Sequence, residues 1–145
     1  MFNNGILIDY SVRDFNNIPD TDIRINEIKK YFKLIIEKTK PFCVCLEDIQ
    51  YQRNQKTYKF LAQLQGVLIN YLVENTLYYQ IIHPNSWKSY CGIKIREKRN
   101  VQKQQSIQIV KNMFDISVSD DEADAILMNI YVNKLMEGDM WNVVK

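Results

Sequence analysis

Apolar positions change their spacing several times along the chain, and each change marks an element. Residues 6–15, ILIDYSVRDF, are rich in β-branched and aromatic side chains and follow the turn-forming Asn3-Asn4-Gly5, which predicts a strand. Asn16-Asn17-Ile18-Pro19-Asp20 breaks it. Over residues 21–38, Ile25, Ile28, Phe32 and Ile35 recur at helical spacing with Lys and Glu between them, and Pro41 stops the helix. Residues 42–46, FCVCL, form a short unbroken apolar run, as expected of a strand covered on both faces of a parallel sheet.

The polar segment EDIQYQRNQKT, residues 47–57, leads into a second helix with Tyr58, Leu61, Leu64, Leu68 and Leu72 as its apolar stripe. Gly66 inside that helix costs ~1 kcal/mol relative to alanine, which predicts a close packing contact there. Residues 78–82 read as another strand, closed by His83-Pro84-Asn85. A basic stretch, 86–103, runs into a third helix whose stripe includes Val101, Ile107 and Val110. After MFDISVS comes a last helix over residues 120–137, with Ala125, Met128, Val132 and Leu135 expected to face the core. Strand, helix, strand, helix, strand, helix, helix is an α/β order with a largely parallel sheet, and no repeat or linker divides residues 1–145.

Composition sets bounds on this picture without redrawing it. The 145 residues are 46% hydrophobic and 25% charged, which excludes disordered and fibrous classes. A chain of this size buries about 68–70% of its unfolded surface. No apolar run approaches the ~20 residues of a membrane span, and MFNNGILIDY lacks the layout of a signal peptide, so a soluble, intracellular protein is expected. Nineteen Lys and Arg against 17 Asp and Glu leave a net charge of +2, so any case for nucleic acid rests on local charge. Cys43 and Cys45 share one face of a strand and are too constrained to bridge each other. With Cys91 they read as core thiols in a reducing compartment.

Two acidic features carry candidate chemistry. Glu47 and Asp48 follow FCVCL directly, and ligands of open α/β sheets bind beyond the carboxyl ends of the strands. In DEADA, residues 121–125, Asp121 and Asp124 are three apart and share a helix face. Carboxylates so placed suit hard divalent cations. Acids in a first turn also serve the cap and the macrodipole, and Ser119 with Glu122 fits a capping box, so Glu122 is assigned to structure. The basic stretch sets Lys88, Lys94, Arg96, Lys98, Arg99 and Lys103 against one acid, Glu97, with Trp87 and Tyr90 interleaved. It reads either as a phosphate grip with base-stacking aromatics or as a solvated helix face with snorkelling lysines. Tyr51 reads as a stacking wedge or a lid residue, and His83 as a turn residue.

Taken together, CLEDIQYQRNQKTYKFLAQLQGVLINYL, HPNSWKSYCGIKIREKR and SDDEADAILMNIYV resemble the RuvC family of Holliday junction resolvases, in particular its phage and Firmicutes-like branch, over residues 6–132. The set of motifs is far more specific than any one of them. The resemblance implies a ribonuclease H-like fold, a homodimer, branched DNA as partner, and cleavage of four-way junctions with two Mg²⁺ ions, with Mn²⁺ as a substitute. Matched by position, Glu47, Asp121 and Asp124 would be catalytic metal ligands. Lys88 and Lys94 would grip phosphates near the cut, with Arg96, Lys98 and Arg99 extending that DNA-binding surface and Tyr51 beside it.

The family begins with a strand ending in Asp, whereas NNGILIDYSVRDF matches its third strand and Met1-Phe2 the tail of its second. Three accounts follow: a domain incomplete at its front, a relative that binds branched DNA while cutting weakly or not at all, or a strand 6–15 slid into the central position. The slide would create a βαβ unit over residues 6–46 and set Asp9 in place of the missing carboxylate.

Overall fold

In the computed structural model, which describes residues 1–51 and 54–137, the front of the chain forms a hairpin. Strands β1 (Phe2–Asn3) and β2 (Ile6–Leu7) pair antiparallel, Phe2 opposite Leu7 and Asn3 opposite Ile6. Asn4 and Gly5 between them have φ of 48° and 77°, the left-handed pair that a two-residue hairpin turn demands and Asn-Gly supplies at least cost. The strand expected over residues 6–15 therefore stops after Leu7. A strand persists only where a neighbour satisfies its backbone, and the ladder with β1 ends there. Strand β3 (Cys43–Glu47) pairs instead with β4 (Tyr78–Ile82) in a second two-stranded sheet. The slid βαβ unit over residues 6–46 thus does not form.

The chain divides into two compact units, one of Arg13–Ile81 and one of Met1–Val12 with the chain from Ile82 onward. In the Arg13–Ile81 unit, α1 (Thr21–Thr39) starts at Asp20, whose carboxylate accepts from Ile23 N at 2.9 Å. It ends at Lys40, left-handed at φ 45° with its N–H on Ile36 O at 2.8 Å, and Pro41, which cannot continue the helix, follows. Helix α2 (Gln55–Glu74) is capped by Asn54 and packs against α1. Gln52 and Arg53 of the polar segment lie outside the described residues.

Ile36, Tyr71 and Leu72 form this unit's core, with Phe32, Val44, Leu46, Leu77 and Tyr79 packed on it. β3 is half-buried rather than covered on both faces, since a two-stranded ladder shields less than the sheet its apolar run implied; Phe42 is 71% exposed. Cys43 and Cys45 are half-buried free thiols. Gly66 also departs from expectation. Among the described residues a Cβ built there meets nothing within 4 Å, so it makes no close contact with them.

In the other unit, α3 (Pro84–Tyr90) opens with Pro84 at its first position and His83 as N-cap, Nδ1 accepting from Asn85 N at 3.2 Å. Helices α4 (Arg99–Phe114) and α5 (Asp120–Glu137) pack on each other, and α3 packs on α5. Trp87, Ile93, Val110, Ala123, Ile126, Leu127 and Val132 are buried. The inward stripe of α5 starts at Ala123 and leaves Ala125 exposed; Met128 and Leu135 are half-buried. Trp87, 0% exposed, is a core residue and is not available to stack on a base.

Candidate functional site

The start of α5 is set by a capping box. Glu122 Oε2 accepts from Ser119 N and Oγ at 2.8 Å each, and Ser119 Oγ accepts from Glu122 N at 3.3 Å. Those bonds hold the Glu122 carboxyl below its usual range, as the structural assignment of this residue requires. With the first turn fixed, Asp121 and Asp124 fall on one face. Asp120 beside them is taken by Lys103.

Asp121 is exposed, whereas Asp124 is half-buried and its Oδ1 is fully buried without a hydrogen-bond partner. Burial pushes the Asp124 carboxyl up. A hydrogen bond with Ser106 and the charge of Lys88 pull it back in part, while Asp120 and Asp121 push it up further. A buried oxygen left unpaired costs about 1–3 kcal/mol, and a bound cation would offset that cost. Two oxygen donors on one helix face, one of them an orphan, fit a hard divalent cation. Among the described residues no three His, Cys, Asp or Glu side chains cluster as a metal cage, so α5 by itself contributes a pair.

Glu47 closes β3 in the other unit. It is exposed, and its carbonyl accepts from Gln65 Nε2 at 3.3 Å. Asp48 turns back onto Ile49 N at 2.9 Å. Tyr51 is 81% exposed and leans on Tyr58, ring centres 5.9 Å apart. Asp9 is exposed and lies beyond β2, its carbonyl accepting from the Met1 ammonium at 2.5 Å.

The basic residues gather around a short loop in the same unit as Asp124. Helix α3 ends at Cys91, and Gly92, at φ 79°, takes the left-handed turn that lets Ile93 drop into the core. Lys94, Arg96, Lys98 and Arg99 follow, all exposed. Lys88 is half-buried on α3, its ammonium 5.3 Å from the Trp87 ring centre and 3.4 Å from Gln102 Oε1. Tyr90 packs against Tyr131, ring centres 5.5 Å apart.

Three residues of α4 belong to this arrangement and were not expected from the sequence: Gln102, Gln105 and Ser106. Gln102 Nε2 donates to Ile95 O at 3.1 Å and Glu97 O at 2.8 Å, and Gln105 Oε1 accepts from Lys94 N at 2.9 Å. Buried Ser106 donates to Gln102 O at 3.2 Å, and its hydroxyl eases the Asp124 carboxyl back down. Their spacing of three and four on one helix face is the signal that was present. One unit therefore brings together Asp121, Asp124, Lys88, the loop of Lys94, Arg96 and Lys98, and Arg99 at the start of α4; Glu47 and Tyr51 belong to the other unit.

Three comparisons bear on this arrangement. The family model described as crossover junction endodeoxyribonuclease RuvC matches residues 5–131. The RuvC endonuclease of Fusobacterium nucleatum is 28% identical over 131 residues, 89% of this chain and 68% of that protein. That of Caldanaerobacter subterraneus is 26% identical over 122 residues, 81% and 73% of the two chains. Among solved structures, Thermus thermophilus RuvC in complex with a Holliday junction substrate superposes with a TM-score of 0.66 at 13% identity, covering 88% of this chain and 76% of that one. A second T. thermophilus RuvC structure gives 0.64 at 11%. These likenesses establish the expected α/β, ribonuclease H-like fold, with five helices and two small sheets among the described residues. The family model spans nearly the whole described chain, and the chain belongs to the RuvC family of crossover junction endodeoxyribonucleases.

Proposed function

We propose that this protein is a Holliday junction resolvase, hydrolysing DNA phosphodiesters at four-way junctions with two divalent metal ions. Family membership supplies the reaction class, and the endonuclease relatives favour it over a binder without turnover. The observation that carries the site is Asp124: a buried, unsatisfied carboxylate oxygen within the field of Lys88, in the unit that bears the basic loop.

In this reading Asp121 and Asp124 are metal ligands, and Glu47 is a further ligand by family correspondence. Hard oxygen donors select Mg²⁺, with Mn²⁺ able to replace it. When bound, such ions polarise the scissile phosphate and lower the pKa of an attacking water. The protein's own groups do the rest. Asp124 stands on α5 with its Oδ1 buried and without a hydrogen-bond partner, so that oxygen is open to a metal. Lys88, pinned between Trp87 and Gln102, offers a fixed positive charge to a phosphate near the carboxylates. Lys94, Arg96, Lys98 and Arg99 hold the backbone further along, and exposed Tyr51 presents a ring to bases opened at the junction. A second copy of the chain would supply the second cut, making the working form a homodimer in the cytoplasm, where the DNA is.

The test is binding and cleavage of a labelled four-way junction by the full chain and by Lys88→Ala/Lys94→Ala/Arg96→Ala. The triple variant is expected to bind at least about tenfold more weakly, with a salt slope shallower by about 2–3, as each lost phosphate contact removes roughly 0.9. Unchanged affinity across the salt titration would remove the DNA assignment of these residues.

A further inference from the structure

The loop between α3 and α4 carries three exposed cations, has no regular structure of its own, and is fastened at both ends of its span by side chains of one helix face. Gln102 and Gln105, three apart on α4, contact it at Lys94, Ile95 and Glu97: Gln105 Oε1 takes the Lys94 N–H at 2.9 Å, and Gln102 Nε2 gives its protons to Ile95 O at 3.1 Å and Glu97 O at 2.8 Å. The same Gln102 offers Oε1 to Lys88 Nζ at 3.4 Å, tying the loop to α3. One internal bond, Glu97 N to Lys94 O at 3.0 Å, closes the turn between the two glutamines.

We propose that Gln102 and Gln105 are positioning residues that hold the basic loop in its phosphate-binding form before DNA arrives. The physical reason is entropic. Ordering a free loop when DNA binds costs backbone conformational entropy at every residue fixed, and clamping it beforehand removes that cost from binding. A glutamine suits the task because its amide bonds carbonyls without bringing a negative charge near DNA. Neither glutamine touches substrate in this account; both act through Lys94, Arg96 and Lys88. The proposal rests on the reading that those cations meet phosphates.

The full chain carrying Gln102→Leu, and separately Gln105→Leu, tests it with two readouts. Hydrogen exchange of the Lys94 and Glu97 amides is expected to speed up about tenfold or more while the Leu127 amide in α5 keeps its protection, since local opening is separable from global unfolding. Junction affinity is expected to fall about five- to tenfold in the wild-type background and less than about twofold when Lys94→Ala/Arg96→Ala is already present, the non-additivity expected of coupled residues. Wild-type exchange at Lys94 and Glu97, or equal affinity losses in both backgrounds, would overturn it. Should Gln102→Leu not fold, Gln105→Leu decides on the same readings, because its one loop contact is to Lys94 N. Junction affinity unaltered by Lys94→Ala/Arg96→Ala would overturn the phosphate reading and the DNA half of this proposal together. The exchange data would still judge the clamp by itself.

Discussion

At Asp124, burial and chemistry oppose each other. The carboxyl is pushed above its usual range by burial, so its charged form is penalised in the folded protein. That penalty is absent below the unfolded-state value near 3.9, grows as pH rises through the elevated folded value, and is complete above it. Asp124→Asn, near in shape and uncharged, is therefore expected to raise the urea midpoint at pH 7 in metal-free buffer, with the gain disappearing as pH falls towards 4. Adding Mg²⁺ reverses the order, because binding to the native state stabilises the wild type and not the variant. Urea melts with and without Mg²⁺ at two pH values check this, and an equal Mg²⁺ shift in both proteins would deny Asp124 its role as ligand. The carboxylates were legible in the sequence because both the capping box and the i, i+3 pair are local patterns. Gln102 and Gln105 were not, because their partners are mainly backbone atoms of a loop, which any sequence provides.

Among elements, what could be read depended on whether the partner was local. Helices α1 and α5 lie where the periodicity places them, since a helix satisfies its backbone within itself. Strand β4 covers the expected residues, but β2 keeps only Ile6–Leu7, because strand length is decided by a neighbour the pattern does not name. Helix α3, seven residues long, is too short for a periodic signature and was hidden within a basic stretch. Two substitutions test the elements by thermal melting. Gly66→Ala is expected to stabilise by about 0.5–1 kcal/mol, as its Cβ enters open space in a helix interior. Ser119→Ala is expected to cost about 1 kcal/mol through loss of the cap. The cap loss also blunts the stability that Glu122 contributes. Its depressed pKa means that contribution is present above the unfolded carboxyl value and fades as pH falls through the folded one.

At the scale of the whole molecule, charge is arranged rather than abundant. A net charge of +2 conceals a basic loop and two carboxylates gathered in the unit that includes α3, α4 and α5, while β3, ending in Glu47, belongs to the other unit. The ribonuclease H-like fold and the family follow from the motif set as a whole, since no single motif is distinctive and their order along the chain is. No helix among the described residues is long and apolar enough to cross a membrane. The central claim, metal-dependent cutting of a four-way junction by these carboxylates, is tested most directly by incubating the chain and its Glu47→Gln and Asp124→Asn variants with an end-labelled junction in Mg²⁺ or Mn²⁺. Paired nicks by the wild type are expected, none in metal-free buffer, and none by either variant although both still shift the junction on a gel. Bound but uncut junction with the wild type, or cutting that survives in both variants, would contradict it.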